Sequence, residues 1–452
     1  MNRAAPVLAV LVALASISIG LVGATGASGT DAYGGDVSPT VQGFVVGSPV
    51  DRSTGDPGVG DDAVRVGVIG SEFDSGHPTL DGRVVAHTQL SGSSFALDAP
   101  SASSHDTAVA EIVADRTDDA GLYLVGVGSQ PSPAEYERAV DWLLGNDVDV
   151  IVDSGSYFPS TADGMEQISG AAERATESGA VFVTSAGNYG QSHWRGSPDD
   201  EGWVEFADGV QGNRLGDGAL AGEVTLRLYW DGDADYDLYL YRDLAGPDDP
   251  VVAKSTRSSG NAEAIDATLS EGHYYVAVYA RDAGEEPVDL FAAERSLAHA
   301  VGEGSTVAPA DAAGVISVAA VDDSGTLRRY SSVSADVSAP GAADTAVAGR
   351  FDGTSAAAPV VAGAVASMQS DEALSPAKVE AILRDTADGD ARAIDSEAAL
   401  TAAANASSEG TPDAVAGTDA DSGTTTAETT ATADASAADV STGTGWCPGS
   451  VP

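Results

Sequence analysis

The chain has 452 residues, enough for one large catalytic domain with appendages or for about three domains of ordinary size. It carries 21 Lys and Arg residues against 69 Asp and Glu residues, and the resulting net charge of −48 would repel nucleic acid at every approach. Hydrophobic residues make up 43% of the chain, unlike in disordered acidic proteins, which lack core residues. The composition therefore predicts a folded protein with an acidic surface and argues against a nucleic-acid partner.

The acidic surface predicts that stability depends on salt. Like charges on one folded particle repel each other unless salt screens them, and the Debye length falls to about 3 Å at 1 M salt. Only two of the cations are lysines, Lys254 and Lys378, which favours an extreme halophile over an acidic secreted protein from a low-salt environment. We expect the melting temperature, followed by circular dichroism, to rise steeply between about 0.1 and 3 M KCl. A melting temperature that stays flat over this range would contradict the halophile interpretation.

The N-terminal segment has the order of a secretory signal peptide. Arg3 precedes an uncharged apolar run over residues 4–30, which ends in small residues. Because the run approaches the length of a membrane span, a retained anchor is the alternative. We expect residues 1–30 to be a signal peptide, residues 31–62 to be a linker rich in Gly, Asp, Pro, Ser and Thr, and the protein to be extracellular. We also expect a monomer without membrane attachment once the signal is removed.

Residues 63–205 alternate short β-branched runs with helical patterns, which is typical of a parallel sheet with helices on both faces. The predicted strands are 65–69, 122–125, 148–152 and 181–184. Ser132 and Glu135 form a capping-box pair around Pro133, which predicts a helix that ends at Gly145.

From residue 206 to residue 300 the hydrophobic period changes to two, which predicts an inserted antiparallel β-sandwich. The α/β pattern resumes over residues 301–400. Residues 405–452 consist mainly of Ala, Ser, Thr, Asp and Gly with almost no large apolar side chains. This composition predicts a disordered acidic tail, because such residues cannot build a core.

Three segments carry recognisable chemistry. Phe351-Asp-Gly-Thr-Ser355-Ala-Ala-Ala-Pro-Val-Val-Ala-Gly resembles the nucleophile segment of subtilisin-like serine proteases (subtilases). Ser104-His105-Asp-Thr-Ala-Val-Ala is similar to the histidine helix of that family, in which His-Gly-Thr is followed by an apolar helix. Thr184-Ser-Ala-Gly-Asn188 is similar to the segment that carries the side-chain oxyanion donor of the family.

The resemblance covers about residues 64–394, apart from the insertion, and implies an α/β fold with a subtilisin-like doubly wound parallel sheet. It implies hydrolysis of peptide bonds in a polypeptide substrate, with Ser355 as nucleophile, His105 as general base and Asn188 in the oxyanion hole. It also implies that Ser154-Gly155-Ser156 binds the substrate backbone, although the leucine of the Ser-Leu-Gly segment of the family is missing here.

The fourth element of the family is absent, because Gly70 stands where the resemblance requires the aspartate that orients the histidine. Loss of this acid lowers turnover by about 10⁴-fold in serine proteases of this kind. Three nearby carboxylates could replace it, those of Glu72, Asp106 and Asp153. The sequence leaves open full proteolysis, impaired proteolysis and a non-catalytic peptide- or surface-binding protein.

The sequence contains no certain cofactor site. Cys447 is the only cysteine and no His-Glu-x-x-His motif occurs, so a cysteine-based or protease-type zinc site is not predicted. Acidic residues at 231, 233, 235 and 237 make calcium possible, because hard cations bind clustered carboxylates. The alternative is an acidic turn without a metal, since Tyr236 stands where a calcium-binding EF-hand loop has glycine.

Overall fold

The computed structural model describes residues 60, 63–90, 104–117, 119–198, 200–244, 249–293, 295–370 and 373–409. The predicted signal peptide, nearly all of the predicted linker and residues 410–452 of the predicted tail lie outside these ranges. Within them, no helix is both long enough and apolar enough to cross a membrane.

The described part of the chain forms strands, α-helices and one short 3₁₀ helix at Pro78–Leu80. The strands are β1 (Arg65–Gly70), β2 (Val84–Gln89), β3 (Gly121–Gly126), β4 (Val150–Asp153), β5 (Val181–Ser185), β6 (His193–Gly196), β7 (Gly202–Trp203), β8 (Asn213–Trp230), β9 (Asp235–Asp243), β10 (Val251–Ser255), β11 (Ala262–Asp282), β12 (Val288–Ala292), β13 (Ile316–Val321), β14 (Val337–Pro340), β15 (Ala342–Thr345) and β16 (Gly349–Asp352). The α-helices are α1 (Ser104–Arg116), α2 (Pro133–Leu144), α3 (Ala162–Glu177), α4 (Thr354–Gln369), α5 (Pro376–Thr386) and α6 (Ser396–Glu409).

Seven strands form a parallel sheet in the order β14-β13-β5-β4-β1-β3-β2, which confirms the predicted α/β class. Every residue of β3, β4, β5 and β13 is buried, as expected for strands covered on both faces. Val68 and Val152 pack in a cluster with α1 and α4, whereas Ile69 and Ile151 pack in a cluster with α2 and α3. Alternate residues of each strand therefore serve cores on opposite faces of the sheet.

Helix α2 begins with the predicted capping box. The Ser132 hydroxyl accepts a hydrogen bond from the Glu135 N–H at 3.3 Å, and the Glu135 carboxylate accepts one from the Ser132 N–H at 2.8 Å. Gly145 caps the other end, as predicted. Strand β2 was not predicted, because only one of its six residues is buried at this edge of the sheet and its apolar signal is weak.

The insertion is an antiparallel sheet with a core of its own, in the order β10-β9-β11-β8-β12-β6 with β7 paired to β11. Strands β8 and β11 have 18 and 21 residues, and their pairing register shifts twice between Leu269 and Tyr274. Such bulges bend the strands, which lets the antiparallel sheet fold over its own core. The sheet begins at His193, before the predicted boundary at residue 206, because β6 is short and partly polar.

Helix α6 extends the folded domain past the predicted start of the tail. Asn405 lies inside this helix, and Ala399 and Ala403, one helical turn apart, are buried in the main core. The alanine-rich composition that predicted disorder also has the highest helix propensity. The prediction of a tail from residue 405 is therefore wrong for residues 405–409.

Candidate active site

Ser355 lies in the first turn of α4, at the edge of the sheet where the parallel strands end. Gly353 caps this helix with φ at 129°, a conformation that only glycine adopts without strain, so the turn requires this residue. Ser355 is buried, and its hydroxyl donates a hydrogen bond to the carbonyl oxygen of Ser154 at 3.1 Å. Because a helix N-terminus has free N–H groups and a positive dipole end, it favours negative charge that develops beside Ser355.

Asn188 follows β5 and contacts the residue before Ser355. Its side-chain oxygen Oδ1 accepts hydrogen bonds from the backbone N–H of Thr354 at 3.1 Å and from the Thr354 hydroxyl at 3.2 Å. These bonds fix the orientation of the amide and leave its Nδ2 as a donor. Asn188 is exposed, so this donor is accessible beside the start of α4, where an oxyanion would form.

His105 is the second residue of α1, and its side chain is 44% exposed. Its Nδ1 atom lies 2.7 Å from Oδ1 of the neighbouring Asp106. The imidazole packs edge-on against the ring of Phe351, with the centroids 5.1 Å apart, and Phe351 precedes the turn that carries Ser355. In the described residues His105 and Ser355 share no hydrogen bond, because the hydroxyl of Ser355 faces Ser154.

Asp106 is a buried carboxylate with both oxygens engaged. While Oδ1 contacts His105, Oδ2 accepts hydrogen bonds from the Ser71 N–H at 2.6 Å, the Ser71 hydroxyl at 2.5 Å and the Glu72 N–H at 3.2 Å. Burial by itself raises the pKa of Asp106. The hydrogen bond from His105, the charge of His105 and the hydrogen bonds from Ser71 all lower this pKa, and together they outweigh the effect of burial. The pKa therefore lies below its usual value, and the group is ionised at neutral pH.

Gly70 ends β1 directly beside this carboxylate. A Cβ atom on Gly70 would lie 2.6 Å from Cγ and 2.7 Å from Cβ of Asp106, and 2.8 Å from the ring of Phe73. Contacts this short do not occur between carbon atoms without displacement, so the side chain of Asp106 occupies the space into which a side chain at position 70 would extend.

Of the three carboxylates that the sequence offered, only that of Asp106 contacts the histidine. Glu72 is exposed, and its backbone rather than its side chain bonds to Asp106. Asp153 is buried on the α2 side, where it accepts hydrogen bonds from Tyr136 at 2.8 Å, the Gly155 N–H at 2.8 Å and Tyr157 at 3.3 Å.

Asp153 makes the free energy of unfolding depend on pH. Burial is the largest cause that raises its pKa from 3.8 to about 6, so the folded protein binds this proton more tightly than the unfolded chain does. The contribution of this bound proton to the free energy of unfolding is fully present below pH 3.8 and is lost as the pH rises through about 6. Asp153→Asn removes the buried charge, and we expect it to raise the free energy of unfolding by up to about 3 kcal/mol above pH 6.

The measurement is urea unfolding of the variant and the wild type at constant KCl. Near pH 4 the two proteins should differ little, because Asp153 is protonated in the folded state. A variant that is less stable than the wild type at about pH 8 would contradict burial as the cause of the raised pKa.

Comparison with known proteins decides the family. The family model described as the subtilase family matches residues 61–222 and 254–431, which is well over half of the chain. The chain belongs to the subtilase family. It is therefore a serine-type peptidase by family, with a subtilisin-like fold. No curated protein matches it in sequence.

Solved structures resemble this subtilase in fold at low sequence identity. The CspB protease of Clostridium perfringens has a TM-score of 0.57 at 15% identity, over 76% of this chain and 95% of that one. The self-cleaved protease domain of PatA has a TM-score of 0.42 at 17% identity, over 76% and 97%. A cold-adapted subtilisin-like serine proteinase has a TM-score of 0.40 at 17% identity, over 73% and 85%.

The predicted substrate-binding segment of the subtilase lies beside its serine. The Ser154 hydroxyl donates a hydrogen bond to the backbone carbonyl of Ser355 at 3.1 Å, which ties the segment to α4. The Gly155 N–H donates a hydrogen bond to Asp153, and the Gly155 carbonyl accepts one from the Ser185 hydroxyl at 3.2 Å. Ser156 makes no hydrogen bond to any other residue that the structure describes, so its backbone is the part able to pair with a peptide.

The insertion of the subtilase holds the loop that continues this segment, a role that the sequence did not predict. The buried guanidinium of Arg227 in β8 donates to the Phe158 carbonyl at 3.0 Å, and the Tyr229 hydroxyl donates to the Pro159 carbonyl at 2.6 Å. Phe158 also packs against Phe291 of β12, with ring centroids 5.4 Å apart. The insertion therefore fixes the position of the loop that follows Ser154-Gly155-Ser156.

The calcium interpretation gains no support from the acidic turn. Asp237 is buried and pairs with Arg281 at 2.5 Å, which neutralises the charge that a cation would need. The described residues contain no group of three or more His, Cys, Asp or Glu side chains able to hold a metal ion. Calcium binding by this subtilase stays an untested prediction.

Proposed function

We propose that this subtilase is a secreted serine endopeptidase that hydrolyses peptide bonds through an acyl-enzyme on Ser355. The observation that carries the proposal is that three groups lie around residues 351–355, since Asn188 bonds to Thr354 and the His105 imidazole packs on the ring of Phe351. These are the Ser355 hydroxyl at a helix N-terminus, the Asn188 amide held by Thr354, and the His105 imidazole beside a buried carboxylate. A nucleophile, an oxyanion donor and a base are the groups that acyl transfer requires.

In this mechanism the Ser355 hydroxyl turns away from the Ser154 carbonyl by rotation about its Cα–Cβ bond. Nε2 of His105 accepts its proton while Oγ forms a bond to the substrate carbonyl carbon. The substrate oxygen becomes an oxyanion, which accepts hydrogen bonds from the Asn188 amide and from the N–H groups at the start of α4. The C–N bond then breaks as the imidazolium protonates the leaving amine, and water hydrolyses the acyl-enzyme by the same steps.

The alternative is a non-catalytic protein that binds peptides in the same cleft. It is favoured by glycine at position 70, where the resemblance requires an acid, and by the hydrogen bond of the Ser355 hydroxyl to Ser154 instead of His105. Under either function the protein would bind an extended polypeptide, but only the enzyme would cleave it.

Secretion is supported by the apolar N-terminal segment that follows Arg3. The net charge of −48 and the scarcity of lysine support an environment of high salt. The proposal includes a polypeptide substrate, a monomeric protein and no required cofactor.

The test is cleavage of a reduced and carboxymethylated protein in about 3 M KCl, with Ser355→Ala as the matched control. We expect the wild type to release fragments that mass spectrometry assigns to internal cleavage sites, and the control to release no detectable fragments in the same time. A folded wild type that leaves the substrate as intact as the control does would favour the peptide-binding alternative.

A further inference from the structure

We propose that Asp106 is the positioning acid of this active site and performs, from helix α1, the role that the family gives to an aspartate at the end of the first strand. The inference rests on the proposed peptidase function. It favours full proteolysis over the impaired proteolysis that the sequence also leaves open at Gly70.

The first argument is the contact with the imidazole. The 2.7 Å between Oδ1 of Asp106 and Nδ1 of His105 is the length of a charge-assisted hydrogen bond. In a serine protease this bond holds the proton on Nδ1, so that Nε2 presents its lone pair to the serine. Side chains of adjacent helical residues do not normally face each other, so this contact depends on the first turn of α1 and on what surrounds it.

The second argument is how firmly the carboxylate is held. Ser71 and Glu72 supply three donors to its other oxygen, so the chain directly after β1 anchors the acid even though it does not provide it. A buried carboxylate held in this way stays ionised and cannot rotate away from the imidazole. It also stabilises the imidazolium against the positive end of the α1 dipole.

The third argument is the exchange between two positions. In the family pattern the strand carries the aspartate and the residue after the histidine is glycine, whereas here the strand ends in Gly70 and Asp106 follows the histidine. A Cβ on Gly70 would lie within 2.7 Å of two atoms of Asp106, so both positions cannot carry an aspartate without displacement. The missing side chain at Gly70 therefore makes room for the carboxylate of Asp106.

The experiment is a double-mutant cycle in the full chain with Gly70→Asp, Asp106→Gly and both together, which restores the residues of the family pattern. We expect each single variant to lower kcat for peptide hydrolysis by about 10³- to 10⁴-fold, because one lacks the acid and the other displaces it. We expect the double variant to exceed either single variant by at least tenfold. Asp74→Asn, which alters an exposed carboxyl in the same loop that contacts neither His105 nor Asp106, is the matched control and should change kcat less than threefold.

A readout independent of turnover is the NMR spectrum of the His105 imidazole in the wild type and in Asp106→Asn. We expect neutral His105 to be protonated at Nδ1 in the wild type, with a hydrogen-bonded proton that disappears in Asp106→Asn. Circular dichroism checks that each variant is folded.

The outcomes separate the two proposals. If each single variant lowers kcat and the double variant recovers part of that loss, the role of Asp106 is supported. If Asp106→Asn keeps an activity within tenfold of an active wild type, this role is overturned and the peptidase function stands. If the wild type has the Nδ1 proton but does not hydrolyse peptides, the peptidase function is overturned and the contact between Asp106 and His105 is supported. If the Nδ1 proton is absent, the role of Asp106 is overturned whatever the activity.

Discussion

Ser355→Ala is expected to lower kcat for peptide hydrolysis by about 10⁶-fold, because it removes the oxygen that forms the acyl-enzyme. His105→Ala should cost about as much, since without a base the hydroxyl stays protonated and hydrogen-bonded to Ser154. The double variant should be no slower than the slower single variant, because nucleophile and base act as one unit.

Single-turnover kinetics with enzyme in excess can measure such losses against the uncatalysed reaction. Residual activity in all three proteins is expected from the Asn188 donor and substrate binding alone. If the losses of the two single variants instead multiply in the double variant, His105 and Ser355 do not act on the same proton.

Asn188→Ala is expected to lower kcat by about 10²- to 10³-fold, because it removes a donor that meets charge only in the transition state. KM should change little, since the ground-state carbonyl of a peptide carries no full negative charge. Steady-state kinetics at saturating and subsaturating substrate separate the two parameters.

Thr354→Val is the matched control for this prediction. It keeps the shape of the side chain but removes the hydroxyl that donates to Oδ1 of Asn188, while the backbone N–H at 3.1 Å still holds the amide. We expect a loss of no more than about tenfold. If Asn188→Ala instead raises KM and leaves kcat unchanged, this side chain acts in substrate binding and not in the oxyanion hole.

The sequence predicted what short segments determine by themselves. Ser355 and Asn188 each lie in a contiguous motif whose glycine and small residues set the local backbone, as the φ of 129° at Gly353 illustrates. The capping box at Ser132 and the buried β-branched strands are likewise determined by residues close together in the sequence. The family model and the parallel sheet confirm the fold that these signals predicted.

The sequence could not choose among the three candidate acids, because the choice depends on space between distant segments. Asp106 reaches its position only where β1 ends in a residue without a side chain and where Ser71 supplies donors across the site. The contact of Arg227 with the Phe158 carbonyl joins residues 69 positions apart and has no local signal. Strand β6 and the end of α6 were misplaced because one is very short and the other resembles a low-complexity tail.

The most direct test of the account is the reaction of the folded wild type with a fluorophosphonate, which modifies only a serine whose hydroxyl is activated by a base. We expect stoichiometric modification of Ser355, located by peptide mass spectrometry. Folded protein that remains unmodified under conditions where an active serine protease reacts completely would contradict the claim that His105 activates Ser355.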